Sequence, residues 1–428
     1  MSTPVVQSGS YKLEIDTGFD SGSFTLNSDL KGVLDNSLYT LGPGTSYADV
    51  TTGTTSVNIF RGRRDVGDQF VPGSMSFVLN DQIAYGAFNP FNDANADPAN
   101  NQAGLAPMRR VRFYRYNASN VAQSIFQGYI VNYDYFFSID GNDNVQVFCV
   151  DDQYLLAQAE LDEWNVSEQL SSARVVEMLA LPEVDAFQGV GQQSIETGTA
   201  TLGGSAAYTV PQGTNVNQYL TDITNAEQGR AFVNRSGVFT YQKRIGSTVG
   251  TPLADFSDNH GYPYAELGIN FGADKVVNRA TVSTLQNPTT PQTVDDLASQ
   301  AQYFIQSVSY LGSLLHSDPA ALALAAYLIQ PVPTAVFTGL TTEFQSLTNA
   351  QRDVVATLDI GNAISIEKTI QTSSTTTSII SQTSAIEGIE HRITFSQPHQ
   401  TTLYVSPTQV YLDFILDSST LDTVYALT

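Results

Sequence analysis

Polar and apolar residues alternate through much of the first third of the chain. VNIFRGRRD, GSMSFVLND, RRVRFYRYN, QSIFQGYIVNYDYFF and NVQVFCVDD follow one another between Val57 and Asp152, rich in Phe, Tyr, Val and Ile. A period of two is that of a strand buried on one face. Turn clusters separate the runs, including one around Gly141. The pattern predicts an antiparallel β domain over 56–160. Residues 1–55 are rich in Gly, Ser, Thr and Asp, with YKLEID strand-like and LGPGTS turn-like. They predict an extended arm or the first strands of that domain. NPFNDANADPANNQAGLAP, from Asn89 to Pro107, interrupts it with the composition of an exposed loop.

From there to residue 332 the period changes. DQYLLAQAEL and SSARVVEMLALPEV carry apolar residues at helical spacing, with Ser171 or Ser172 as the expected N-cap. NVNQYLTDITNAEQGRAF puts Val216, Leu220 and Ile223 on one helical face, then runs into a hairpin whose turn is Asn234-Arg235-Ser236-Gly237. A strand pair is expected in YAELGINFGADKVVNRATVST. VDDLASQAQYFIQSVSYLGSLL and PAALALAAYLIQPVP are expected to be helical, broken at Asp318-Pro319 and closed by Pro331 and Pro333. Over 333–428 strands return: TAVFTGLTTEF, DVVATLDI, NAISIEKTI, SIISQTSAIEGIEHRITF, QTTLYVSP and QVYLDFIL, with TSSTTTS as a polar hairpin loop. The fold class is therefore mainly β with an α+β middle over 161–332.

Composition narrows the function. With 42 Asp plus Glu against 19 Lys plus Arg, the formal net charge is -23, a poor balance for a general nucleic-acid binder. The lone Cys149, in a strand-like run, excludes a disulfide framework and a cysteine zinc site. No basic-then-apolar leader opens the sequence, and the apolar run Ala320–Ile329 is half of the ~20 residues a membrane helix needs. No membrane insertion is expected.

The search for chemistry yields little. His391 and His399 stand on neighbouring strand-like segments, within reach of a shared metal, but no HExxH pattern or carboxylate supports one, and a structural role is expected. Asp93, Asn95 and Asp97 imitate a calcium loop whose required Gly is replaced by Pro98 and whose bidentate Glu is replaced by Gly104. There is no GxSxG elbow and no phosphate loop. Neither a catalytic residue nor a cofactor is expected. The cations are more informative, because seven of the 14 arginines fall in two segments: Arg61, Arg63 and Arg64, then Arg109, Arg110, Arg112 and Arg115. If both segments join one sheet they form a basic stripe, and Arg suits bidentate pairing with carboxylates of an acidic partner surface. The alternative is a solvated edge in which Arg discourages aggregation.

Three segments together resemble the tail-hub, or tail-associated, proteins at the distal end of phage tails, often called minor tail proteins. The first is VNIFRGRRDVGDQFVPGSMSFVLND with RRVRFYRYN and SIFQGYIVNYDYF; the second is NQYLTDITNAEQGRAFVNRSGVFTYQKR. The third joins DVVATLDIGNAISIEKTI to SAIEGIEHRITFSQPHQTTLYVSP, so the resemblance spans residues 57–410. It implies two β-barrel-like domains flanking the α+β region, and a homotrimer whose six similar units continue a sixfold tail tube and hand threefold symmetry to the tip. It also implies a non-enzymatic virion protein at the distal tail tip, assembled in the host cytoplasm. Its partners would be a distal tail protein ring, the tape-measure protein C-terminus and a central tip or fibre protein, with phage DNA only in transit. An acidic lumen would keep DNA from adhering. The rivals are the distal tail protein itself, expected to be hexameric, and a β-rich carbohydrate-active enzyme or adhesin.

Overall fold

The computed structural model describes residues 10–16, 47–65, 67–80, 107–139, 143–184, 186–203, 208–244, 250–374, 377–394 and 399–407. The loop expected from residue 89 up to 106, the Asp93–Asn95–Asp97 pattern, LGPGTS, Gly141, residues 375–376 of TSSTTTS and the QVYLDFIL strand lie outside them.

The first lobe is built from β1 (Tyr11–Asp16), β2 (Tyr47–Asp49), β3 (Thr54–Gly62), β4 (Val71–Asn80), β5 (Arg110–Tyr116), β6 (Ala122–Phe136) and β7 (Asn144–Val150). They pair antiparallel in the order β3-β4-β7-β6-β5-β1-β2. Alternation does what it predicts: Met75, Phe77 and Leu79 of β4, Val111 and Phe113 of β5, and Val145, Val147 and Cys149 of β7 share one core. The YKLEID segment is a strand of this lobe, with Leu13 and Ile15 fully buried.

The middle region contains α1 (Gln153–Gln158), α2 (Ser171–Leu179), α3 (Val216–Glu227), β8 (Arg230–Val233) and β9 (Phe239–Gln242). α3 starts where Asn215 accepts a hydrogen bond from the Gln218 N–H, and it buries Val216, Leu220 and Ile223 as its spacing predicts. It ends at Gln228, whose φ of 56° turns the chain into the β8–β9 hairpin. Glu227, fully buried, accepts from the Ser171 hydroxyl and the Ala200 N–H, both at 2.7 Å. Ser171 is thus the first helical residue of α2 and Leu170 holds the N-cap position, correcting the serine cap.

Three further expectations fail, two here and one in the last lobe. The strands β11 (Glu266–Asn270) and β12 (Arg279–Thr284), which follow β10 (Asp255–Ser257), do not pair with each other. β12 pairs antiparallel with β13 (Gln292–Asp295) and parallel with β14 (Ser307–Ser313), while α4 (Leu297–Tyr303) is short. SVSYLGS is therefore a strand, because Phe304 at φ 60° ends the helix and the following residues alternate in exposure. α5 (Asp318–Leu328) is the apolar helix expected, with Ser317 as cap and Pro319 in its first turn. Among the described residues no helix is long and apolar enough to cross a membrane.

The last lobe holds β15 (Val336–Glu343), α6 (Asn349–Val355), β16 (Ala363–Gln371), β17 (Thr377–Thr394) and β18 (Gln400–Pro407). DVVATLDI is not a strand: a capping box between Thr348 and Gln351 starts α6 there. β17 pairs with β16 through its first half, and with both β18 and β3 through its second. One sheet consequently runs β11-β15-β18-β17-β3-β4-β7-β6-β5-β1-β2, with β16 on β17 and β10 parallel to β16. Its pairing passes from edge to edge without closing into a barrel among the described residues. Two hydrophobic cores underlie it, one in the first lobe and one in the last, which also takes Ala254 and Phe256, and a third, separate core fills the middle region.

Candidate functional site

The chemistry of the molecule concentrates at the seam where β3 meets β17. Gly62 ends β3 with φ +92°, and a Cβ there would stand 2.2 Å from the Glu387 carbonyl oxygen. Across the seam, a Cβ on Gly388 would stand 2.3 Å from the Arg63 carbonyl. Only glycine permits this approach, and the irregular register between Ile386 and Gly388 lodges Glu387 inside it.

Glu387 is buried and collects cations from two other parts of the chain. Arg63 Nε donates to it at 2.9 Å, Arg230 donates from Nε at 3.2 Å and also from Nη2, and the Ser406 hydroxyl donates at 2.5 Å. Burial pushes this carboxyl upward, but Arg230 and Arg63 outweigh burial and bring it down to about 2. Two more carboxylates repeat the arrangement. Asp359 accepts from Arg61 Nη1 at 2.6 Å and from the Arg235 N–H at 2.9 Å. Asp353 accepts from Arg115 Nη1 at 2.7 Å and from the Ala118 N–H at 3.1 Å.

The arginines singled out in the sequence thus divide. Arg61, Arg63 and Arg115 pair with carboxylates of the last lobe. Arg109 is buried. Arg110 meets Asp152 at 3.1 Å and lies 4.4 Å over the Tyr129 ring. Arg112 meets Glu14 at 2.5 Å and lies 3.8 Å over Tyr47. Arg64 stays 65% exposed, with its ion pair to Glu390 stretched to 4.0 Å. β3 and β5 share a sheet but are separated in it by β4, β7 and β6, so the two segments do not form one stripe. Sequence reasoning missed Asp353, Asp359, Glu387 and Arg230, which form the other half of the seam.

His391 and His399 do come together, with Nδ1 of the first 3.1 Å from Nε2 of the second. The Tyr11 hydroxyl is 2.6 Å from Nδ1 of His399, and Thr401 is 3.1 Å from His391. A neutral pair satisfies this chain: Tyr11 donates to His399, whose Nε2–H donates to His391. Burial, reinforced by Arg61, lowers His391 to about 3; burial, His391 and Arg115 hold His399 well below its usual value. Among the described residues no group of three or more His, Cys, Asp or Glu is placed to hold a metal.

Beside the seam opens a cleft of about 480 Å³. Its walls are the β3–β4 connection, α3, the start of β8, the end of α5, the start of β15 and the end of β18, so all three regions line it. Arg63, Arg64, Arg230 and Lys275 face it together with Asp65, Asp68 and Glu387.

No protein-family model and no curated protein sequence matches this chain. Its fold does match solved structures. One is a tail protein from Neisseria meningitidis MC58, at 11% identity and a TM-score of 0.54, over 92% of this chain and 96% of that one. Another is the 43 kDa tail protein of prophage MuSo2 from Shewanella oneidensis, at 9% identity and a TM-score of 0.53, over 94% and 97%. The chain has the fold of these tail proteins along nearly its whole length.

Proposed function

We propose that this protein is a structural, non-enzymatic component of a phage tail: the trimeric hub at the distal end of the tube. The observation that carries the proposal is the end-to-end fold match to two tail proteins. It agrees with the resemblance of residues 57–410 to tail hubs. In this reading the first and last lobes are the two barrel-like units, and three copies present six of them toward a sixfold tube. A distal tail protein ring would lie above, with the tape-measure protein C-terminus inside and a tip or fibre protein below. The seam then locks the two units of one subunit at a fixed angle, which a ring of six requires.

The arginine interface narrows to those with solvent-facing side chains, Arg64, Arg110 and Arg112. Replacing Arg64 and Arg112 by Glu is expected to leave the isolated chain folded and to abolish its incorporation into tails. Normal incorporation would remove these residues from the interface.

Immunogold electron microscopy of phage particles, with native mass spectrometry of the purified chain, tests the whole reading. Label at the distal tip and a trimeric mass support the hub. A hexamer would favour a distal tail protein, and absence from particles would refute both.

A further inference from the structure

Arg174, on α2, is fully buried in the middle region, away from the seam and its cleft. Arg61, Arg115 and Arg230 are buried as well, and each bonds to a carboxylate. Around Arg174 the partners are neutral. Its Nη1 donates to the hydroxyls of Tyr219 at 2.8 Å and Tyr208 at 3.2 Å, and its Nη2 donates to the Ser167 carbonyl at 2.6 Å. A guanidinium carries five N–H donors, so the Nε–H and one Nη2–H are left over, and Nε is buried without a partner. The two tyrosine oxygens stand 2.9 Å apart, which uses one phenolic hydrogen and leaves the other. The cluster is a cation with donors to spare and, among the described residues, no anion to receive them. We propose that Arg174, Tyr208 and Tyr219 form a binding site for a carboxylate, which supplies the missing counter-charge.

Three properties of the cluster select that ligand. The first is charge: a buried guanidinium is costly without an anion, and a water molecule would satisfy its N–H groups while leaving the charge uncompensated. The second is shape. Nε and Nη2 lie on one edge of the planar guanidinium, the fork that matches the two oxygens of a carboxylate, and the spare phenolic hydrogen adds a third donor. The third is balance. One monoanion neutralises one guanidinium, and no second Lys or Arg joins the cluster among the described residues, so a phosphate dianion would bring in excess buried charge. Entry is past Tyr208, which is half-buried on the ribbon of Trp164–Val166 with Tyr208–Val210, beside the exposed Ser167. The guanidinium itself is closed off, so Tyr208 turns aside to admit a carboxylate head group and nothing bulkier.

This inference goes beyond the tail reading and does not rest on it. Trp164, the single tryptophan, reports on the site: its ring lies 5.7 Å from the Arg174 guanidinium carbon and 5.9 Å from the Tyr219 ring. The full-length chain is titrated with sodium acetate replacing sodium chloride at fixed ionic strength. A saturable change in Trp164 fluorescence, half-complete in the millimolar range, is expected. Arg174→Met is expected to weaken it at least tenfold and Tyr208→Phe severalfold, with Tyr208→Phe carrying the test alone if circular dichroism shows that Arg174→Met does not fold. N-acetyl-glutamate α-amide separates the sources: tighter binding than acetate points to a side chain of a docking protein, weaker binding to a small free acid. A response that does not saturate, or that survives both substitutions, would overturn the proposal, and inorganic phosphate binding as tightly as acetate would overturn the choice of ligand. So would an acetate response confined to Glu168→Gln, because the exposed Glu168 would then be supplying the counter-charge from within the chain.

Discussion

Replacing Glu387 by Gln keeps the side chain's shape and removes the charge that holds Arg63 and Arg230 together. Two independent routes give the cost. Breaking one partner of a buried ion pair costs ~3–5 kcal/mol, because the stranded charges stay desolvated. Lowering a carboxyl from 4.5 to about 2 on folding corresponds to roughly 3 kcal/mol. The sign follows from the direction of that shift. The folded state prefers the carboxylate, so the contribution is complete above pH ~4.5 and is lost as the pH falls through about 2. Urea unfolding, followed by far-UV circular dichroism and by fluorescence of the single Trp164, is expected to show a gap of ~3 kcal/mol at pH 7. By pH 3 the gap is expected to shrink to under half of that, since the unfolded chain then takes up a proton that the folded carboxylate still does not bind. A gap below ~1 kcal/mol at pH 7, or one that does not narrow in acid, would refute the assignment of Glu387 as the centre of the seam. A triple variant, Arg63→Met, Arg230→Met and Glu387→Leu, should recover much of the loss, because an apolar replacement removes all the buried charges at once.

The histidine pair makes the chain acid-sensitive by the opposite route. His391 is lowered to about 3 in the folded state, so its stability contribution is complete above pH ~6.5 and declines by ~1.4 kcal/mol per pH unit below it. Imidazole NMR should show neither His391 nor His399 titrating between pH 5 and 8, and midpoints near 6.5 would contradict the buried neutral pair. Gly62→Ala, which forces a Cβ toward the Glu387 carbonyl at positive φ, is expected to cost at least ~2 kcal/mol and to open the seam to limited proteolysis. Thr348→Ala removes the capping box of α6 and is expected to cost ~1 kcal/mol in urea unfolding.

The sequence revealed what depends on neighbours along the chain. The alternation in VLN and VFCV, the helix 216–227 and the Asn234–Gly237 turn all come from local period and turn chemistry, and all are present. Two local signals were available and overlooked: Thr348-x-x-Gln351 ahead of α6, and the alternation of SVSYLG after Phe304. The seam was not legible at all. Arg61 and Asp359 are 298 positions apart, and Arg63 and Glu387 are 324 apart. Clustered arginines announce that carboxylates will be needed, not whether those carboxylates belong to the same chain. In the same way His391 and His399 fell on adjacent segments as expected, but the hydroxyl that completes their chain comes from Tyr11, 388 residues away.

The passage of one sheet from the first lobe to the last has a mechanical consequence. β3 and β17 pair over Ser56–Gly62 and Gly388–Thr394, and the same part of β17 is held on its other side by β18. Tension applied along these strands loads the hydrogen bonds of the pair in parallel, so they must fail together rather than peel one at a time. Glu387, bound from both sides at the end of that stretch, acts as a rivet where peeling would start. The molecule should therefore be stiff to pulling along β17 and far more compliant to bending about the seam. A single-molecule extension experiment with handles placed along one direction and then the other would record that anisotropy as two different rupture forces.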